Sequence, residues 1–232
     1  MTLVIAMDGP SGSGKSSVSK GVARALGLRY LDTGAMYRAV TWWMLREGVP
    51  VEDPAAVAAR VAEPRLSCGT DPDVPEISVD GTDVSRPIRT PEVTGSVSAV
   101  AAVPQVRERL VVLQREIIGA GGIVVEGRDI GTVVAPDAPV KIYLTASAEA
   151  RAQRRSKELT GANVASTQAD MARRDRLDST RTADPLARAA DAVEVDTTSL
   201  TLPEVITEIV RIAKGADAGD AVREAVYGKE SP

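Results

Sequence analysis

Apolar residues along this chain fall into short unbroken runs separated by longer stretches of helical periodicity. Leu3 to Met7 is almost wholly apolar, the pattern of a strand buried on both faces of a parallel sheet. Lys15 to Leu26 then places Val18, Val22, Ala25 and Leu26 on one helical face, with Gly27 as a stop signal. Leu28 to Leu31 predicts a second short strand. From Ala35 to Glu47, Met36, Ala39, Val40, Trp43 and Met44 recur at helical spacing, and Gly48 caps that helix. The adjacent Trp42 and Trp43 read as core packing and not as platforms for stacked bases.

Residues 50 to 100 follow another pattern. Seven prolines lie between Pro50 and Pro91, and Glu76 to Ser85 alternates apolar and polar around Asp80-Gly81, a hairpin signal suited to a type I′ turn. This stretch predicts a small β-rich insertion. Pro104 opens a helix whose stripe is Val106, Leu110, Leu113, Ile117 and Ile118, and Gly119 to Gly122 end it. Ile123 to Val125 and Val140 to Leu144 predict buried strands, with Ala192 to Val195 a weaker one. Arg-rich helices are expected over roughly 147–160 and 167–178. Thr201 and Glu204 have capping-box spacing before a last helix through Val205, Ile209 and Ile212, with Gly215 as its end. Residues 216–232 carry four acids and two bases and read as a flexible acidic tail. Strands alternating with helices imply an α/β fold around a parallel core sheet, without internal repeats.

Composition narrows the chemistry by what it lacks. With 0 His there is no Ser-His-Asp or Cys-His catalysis and no His-bound zinc or iron. The single Cys68 closes no internal disulfide, which fits a reducing compartment. A net charge of -4 and 3% aromatics argue against nucleic acid as a partner. The charge is uneven: residues 151–188 hold nine basic and five acidic side chains, so this stretch carries +4 and the rest -8. That is a local anion site. No apolar run approaches the ~20 residues of a membrane span, and the first residues lack a basic leader, so a cytoplasmic protein without membrane contact is expected.

Gly9-Pro10-Ser11-Gly12-Ser13-Gly14-Lys15-Ser16 matches G-x-x-x-x-G-K-S in full, with a strand before it and a helix after it. Such glycines turn consecutive backbone N–H groups toward a phosphate chain, and the following helix adds positive potential. Lys15 reaches the β- and γ-phosphates and the Ser16 hydroxyl is a ligand for Mg²⁺. The motif predicts binding of a nucleoside triphosphate. Three further clusters are weaker alone. Leu31-Asp32-Thr33-Gly34-Ala35-Met36-Tyr37-Arg38 opens a helix, with Thr33 able to cap it. Glu126-Gly127-Arg128-Asp129 lies at the carboxyl end of a buried strand, where open α/β sheets bind ligands. Arg174, Asp178 and Arg181 sit in the basic stretch, with Arg174 and Asp178 one turn apart. A helix cap, an ion pair and a solvated helix face are the structural alternatives for these three.

Together the four clusters resemble the bacterial cytidylate kinases, over about Leu3 to Ala213. The segments that carry the likeness are GPSGSGKSS (Gly9–Ser17), LDTGAMYRA (Leu31–Ala39), PQVRERLVVLQR (Pro104–Arg115), VEGRDIGTVVAPDAPVKIYLTA (Val125–Ala146) and RRDRLDSTR (Arg173–Arg181). The resemblance implies a P-loop nucleoside-monophosphate kinase: one domain over 1–215, with its core in 1–59, 101–149 and 163–215. It also implies a monophosphate-binding insertion over about 60–100 and a mobile helical lid over about 150–162. It implies ATP as donor, held with Mg²⁺ by Gly9 to Ser17, and CMP or dCMP as acceptor. By matched position, Thr33, Tyr37, Arg38, Arg107, Arg128, Asp129, Arg174, Asp178 and Arg181 line the acceptor site. Arg38, Arg107 and Arg128 are expected on the monophosphate, with Asp178 and Arg181 facing cytosine, sugar or phosphates. Arg154 and Arg155 lie where the family places transition-state arginines, and Lys15, Arg128 and Asp129 complete the expected catalytic set. A monomer is expected.

The missing histidines agree with this chemistry. A phosphate acceptor, with its second pKa near ~6, is already an anion at neutral pH and needs no general base. Two alternatives stay open at this point. A nucleoside or other small-molecule kinase would phosphorylate a hydroxyl and need a carboxylate base, for which Asp129 is available. A nucleotide-dependent switch protein would share the phosphate loop, but no Asn-Lys-x-Asp guanine-reading signature is present.

Overall fold

The computed structural model describes residues 3–158 and 163–227. Residues 159–162 of the expected lid and 228–232 of the expected tail lie outside the described residues. Five strands form one parallel sheet: β1 (Val4–Asp8), β2 (Arg29–Asp32), β6 (Ile123–Glu126), β7 (Val140–Thr145) and β8 (Val193–Asp196). Their spatial order is β2-β6-β1-β7-β8, so β1 and β6 lie inside the sheet and their apolar runs are buried on both faces. Ile5 and Met7 face α1 (Lys15–Leu26) and α8 (Leu202–Tyr227). Ala6 faces the other side, where α2 (Thr33–Arg46) and α5 (Pro104–Ile118) complete the third layer.

The hairpin signal is borne out. β4 (Ile77–Val79) and β5 (Thr82–Asp83) pair antiparallel, and Asp80 and Gly81 take φ of 51° and 78°, the two positive values a type I′ turn requires. A further strand, β3 (Leu66–Cys68), joins β4 and completes a three-stranded sheet. The stretch is less purely β than its alternation suggests. Asp53 caps α3 (Pro54–Arg60) and Thr90 caps α4 (Pro91–Ala101), each with proline in its first turn. Pro54 and Pro91 thus open α-helices, and Pro87 a short 3-10 turn. Trp43 is buried against this insertion with the Arg60 guanidinium 5.0 Å from its ring, which bears out the core reading of the tryptophan pair.

The carboxyl half follows expectation closely. α6 (Ala148–Glu158) and α7 (Val164–Thr180) are the two Arg-rich helices. The Glu204 half of the capping box before α8 forms, with Thr201 donating to the Glu204 carboxylate from its backbone N–H at 2.8 Å and its hydroxyl at 2.7 Å. The stop at Gly215 does not occur, because α8 continues to Tyr227. Gly215 keeps negative φ and no proline follows until Pro232, so a cost of about 1 kcal/mol relative to Ala is not enough to end the helix.

Leu110 is fully buried where α5 meets the sheet. Leu110→Ala is expected to lower unfolding free energy by about 2–5 kcal/mol at unchanged m-value in urea. A loss under about 1 kcal/mol would show that this helix does not anchor the core.

Candidate active site

The site lies along the carboxyl edge of the parallel sheet. Gly9, Gly12 and Gly14 take φ of 148°, 73° and 92°, and a Cβ on Gly9 would come within 2.2 Å of the Leu144 carbonyl oxygen. Only glycine lets the chain turn this tightly out of β1. The turn delivers Gly14 as the first boundary residue of α1, with no side chain capping the helix. Its leading N–H groups and the positive end of its dipole are left for an anion. The Lys15 ammonium folds back across the loop and donates to the Pro10 carbonyl at 2.7 Å. Pro10, Ser11, Ser13 and Ser17 complete the loop and its exit into α1.

Behind the loop, Ser16 donates from Oγ to Glu126 Oε1 at 2.7 Å, and the buried Tyr30 hydroxyl donates to the same oxygen at 2.8 Å. Glu126 Oε2 is buried and has no partner. Burial and the neighbouring Asp32 carboxylate push Glu126 up to about 7. Burial and the Arg128 guanidinium pull Lys15 down to about 7. Ser16 and an orphaned carboxylate oxygen side by side fit a small hard cation. Among the described residues no cluster of three acidic, His or Cys side chains forms a complete metal cage. That suits Mg²⁺, which takes few protein ligands and keeps phosphate oxygens and water.

The other side of the cleft is built from arginines in two states. One group is paired. Arg107 is 2% exposed and stacks its guanidinium 5.4 Å from the Tyr37 ring. Its nitrogens bond the Asp129 carboxylate and reach Asp184 at 2.7 Å. Arg128 bonds Asp178 at 3.1 Å and Ser11 Oγ at 3.0 Å, and Ser98 donates to the other Asp178 oxygen at 3.1 Å. Arg181 lies 3.6 Å from Asp129 and donates to the Asp184 carbonyl at 2.8 Å. The second group gathers like charges. Arg38 donates to the neutral Thr94 hydroxyl at 2.8 Å and the Ile88 carbonyl at 3.1 Å. Burial and the charges of Arg174, Arg89 and Arg155 depress it to about 9. Burial and the charge of Arg128 bring Arg174 down to about 10, and its Nε has no partner.

The cleft brings together Lys15, Ser16, Thr33, Tyr37, Arg38, Arg107, Arg128, Asp129, Arg155, Arg174, Asp178 and Arg181. Arg154 does not line this cleft; it donates at 2.8 Å to Thr197, just past β8, with its guanidinium 4.0 Å from where a Cβ on Gly14 would lie. Thr33 does not cap α2. Asp32 does, accepting from the Ala35 N–H at 2.9 Å, while Thr33 Oγ1 donates to the Glu126 carbonyl at 2.7 Å. Sequence reading missed several participants. Arg89 reaches the cleft from the proline-rich insertion, 3.2 Å from Asp32. Asp175 accepts from the Ser11 N–H at 2.8 Å and is bonded by Arg151 at 2.5 Å. Asp8 ends an apolar run in the same way as Glu126, whose cluster the sequence did single out.

The cytidylate kinase family model matches residues 5–215. A cytidylate kinase of Streptomyces coelicolor is 60% identical over 219 residues, covering 94% of this chain and 95% of that one. One from Streptomyces avermitilis is 59% identical over 214 residues, covering 91% and 93%. An uncharacterized protein from Eubacterium ventriosum of known crystal structure superposes with a TM-score of 0.53 at 11% identity, covering 93% and 99%, which speaks to the fold alone.

The depressed Lys15 ammonium has a measurable consequence. With its ammonium pulled down to about 7, Lys15 is expected to lose charge in the empty site as pH rises and to regain it against a bound triphosphate. Nucleoside triphosphate binding without metal is therefore expected to take up a proton and to weaken as pH rises above about 7. Calorimetry in two buffers of different ionisation enthalpy reads this directly. Identical heats would show that Lys15 is charged before the ligand arrives.

Proposed function

The chain belongs to the cytidylate kinase family, and from that premise we propose that it transfers the γ-phosphoryl group of ATP to CMP or dCMP, giving ADP and CDP or dCDP. The observation that carries the reading is the pair Arg38 and Arg174, half-buried and each crowded by further arginines in the same cleft as the phosphate loop. Buried cations of one sign are costly until a counter-charge arrives. An acceptor that brings its own phosphate supplies that charge, and a bare nucleoside does not.

The residues then divide the work. Backbone N–H groups of Gly12 to Ser16 and the Lys15 ammonium hold the donor phosphates. Arg38 and Arg174, with Arg89 and Arg155 nearby, take the acceptor phosphate, Arg offering two parallel hydrogen bonds and a permanent charge. Arg107 is committed to Asp129 and Asp184, so in this reading it braces the base end of the cleft beside Tyr37 and does not grip phosphate. Asp129 and Asp178 are the carboxylates available to accept from the exocyclic amine of cytosine. Ser16 and Glu126 hold Mg²⁺, which supplies neutralisation of charge developing on the transferred phosphoryl. No proton need be abstracted, so catalysis is positioning and charge neutralisation. The nucleoside-kinase alternative asks Asp129 to act as a free base. Its carboxylate is instead held by Arg107 and Arg181.

A coupled assay of ADP formation tests this. CMP and dCMP are expected to be phosphorylated and cytidine is not. Equal use of cytidine would replace this reading with the nucleoside kinase. Lys15→Ala and excess EDTA are each expected to remove most turnover. Arg38→Ala is expected to reduce kcat/KM for CMP by about 10- to 150-fold, the loss of one charged hydrogen bond, with ATP affinity little changed.

A further inference from the structure

Asp8 ends β1 at the centre of the sheet and is 4% exposed. It touches neither the donor cradle nor the arginine cluster by hydrogen bond. Its two oxygens instead accept from consecutive backbone N–H groups, Ile130 at 2.9 Å and Gly131 at 2.8 Å. These N–H groups open the single π-helical turn Ile130–Val134, which follows Arg128 and Asp129 directly. At the start of a helical turn such N–H groups have no partner within the turn, so a carboxylate there acts as a cap. The turn also lies tight on the sheet. A Cβ on Gly131 would come 3.2 Å from the Lys141 side chain and 3.4 Å from Asp8 Oδ2.

We propose that Asp8 is a positioning residue for the acceptor site, clamping the turn after β6 so that Arg128 and Asp129 enter the cleft in one orientation. Arg128 meets Asp178 and Ser11, and Asp129 meets Arg107, only from this position of the backbone. Two peptide hydrogen bonds at the root of that strand exit hold a segment whose side chains reach both helices of the acceptor wall. A buried carboxylate is costly in this setting. Burial pushes Asp8 up to about 6 against the lowering effect of the two N–H groups. A neutral side chain would be cheaper to bury, and none supplies two acceptors in line with two adjacent N–H groups.

The proposal rests on the kinase reading for its activity arm, so the experiment has a second arm that does not. Asp8→Asn keeps one acceptor and turns an amide NH₂ toward the other N–H, breaking one of the two bonds. Steady-state kinetics are measured with CMP varied at saturating ATP and the reverse. Hydrogen exchange is followed over 127–135 and, as control, over 202–216. We expect KM for CMP to rise about 10-fold or more, KM for ATP to change less than about 3-fold, and faster exchange confined to 127–135. Unchanged exchange there, or equal losses for both nucleotides, overturns the clamp. A larger donor effect overturns it too, since it would assign Asp8 to Lys15. Should the Asn variant fail to fold, Gly131→Ala crowds the same contact, setting a Cβ 3.4 Å from Asp8 Oδ2 and 3.2 Å from the Lys141 side chain, and is expected to show the same pattern. If the wild-type protein ignores CMP altogether, the kinase reading fails while the exchange contrast still reports on the clamp.

Discussion

Positive charge that must be buried before its ligand arrives is the constraint on which the rest of this structure depends. An aqueous cation placed in a protein interior loses hydration worth several kcal/mol unless partners replace it. The cleft answers with carboxylates. Arg107 is set between Asp129 and Asp184, Arg128 against Asp178, and Arg151 against Asp175. Arg38 and Arg174 are left among like charges, and their depressed affinity for protons records the deficit. The difference between these groups separates the frame of the site from the part that waits for an anion.

The sheet supplies that arrangement through the ends of three adjacent strands. β1 ends on Asp8, β2 on Asp32 and β6 on Glu126, and parallel pairing sets Asp32 beside Glu126 and Met7 beside Glu126. Each acid has a different task. Asp8 holds the turn after β6, Asp32 caps α2, and Glu126 receives Ser16 and Tyr30. All three sit at the edge where α/β folds bind ligands, because strand exits and helix N-termini meet there. Negative ends of strands and positive starts of helices thus alternate along one line. Phosphate enters where the second predominates.

Two arginines of α6 show how little separates neighbours in sequence from neighbours in role. Arg154 and Arg155 are adjacent on α6, yet successive helical residues point about 100° apart. Arg154 accordingly reaches Thr197 beside Gly14 of the phosphate loop, while Arg155 lines the cleft. Matching by position brought both to the same region and had no means of dividing them.

What the sequence determined by itself was local. Apolar runs marked the strands, Asp80-Gly81 marked its turn, Thr201 and Glu204 their cap, and Gly9 to Ser16 the phosphate loop, because each depends on residues within one turn or strand of one another. The family likeness extended this to most of the acceptor residues. The tertiary structure alone decided how those residues pair. Arg107 meets Asp184 across 77 positions, Arg128 meets Asp178 across 50, and Asp8 meets the turn at Ile130 across 122. Such partners share no spacing, since their proximity follows from strand order and helix packing. The same holds for Arg89, which only the folded insertion carries to the cleft. Local rules also misled where context outweighed them, as at Gly215, where a helical glycine was read as an end. Periodicity reports which face of an element is buried, and only the assembled layers set which charge lies opposite it.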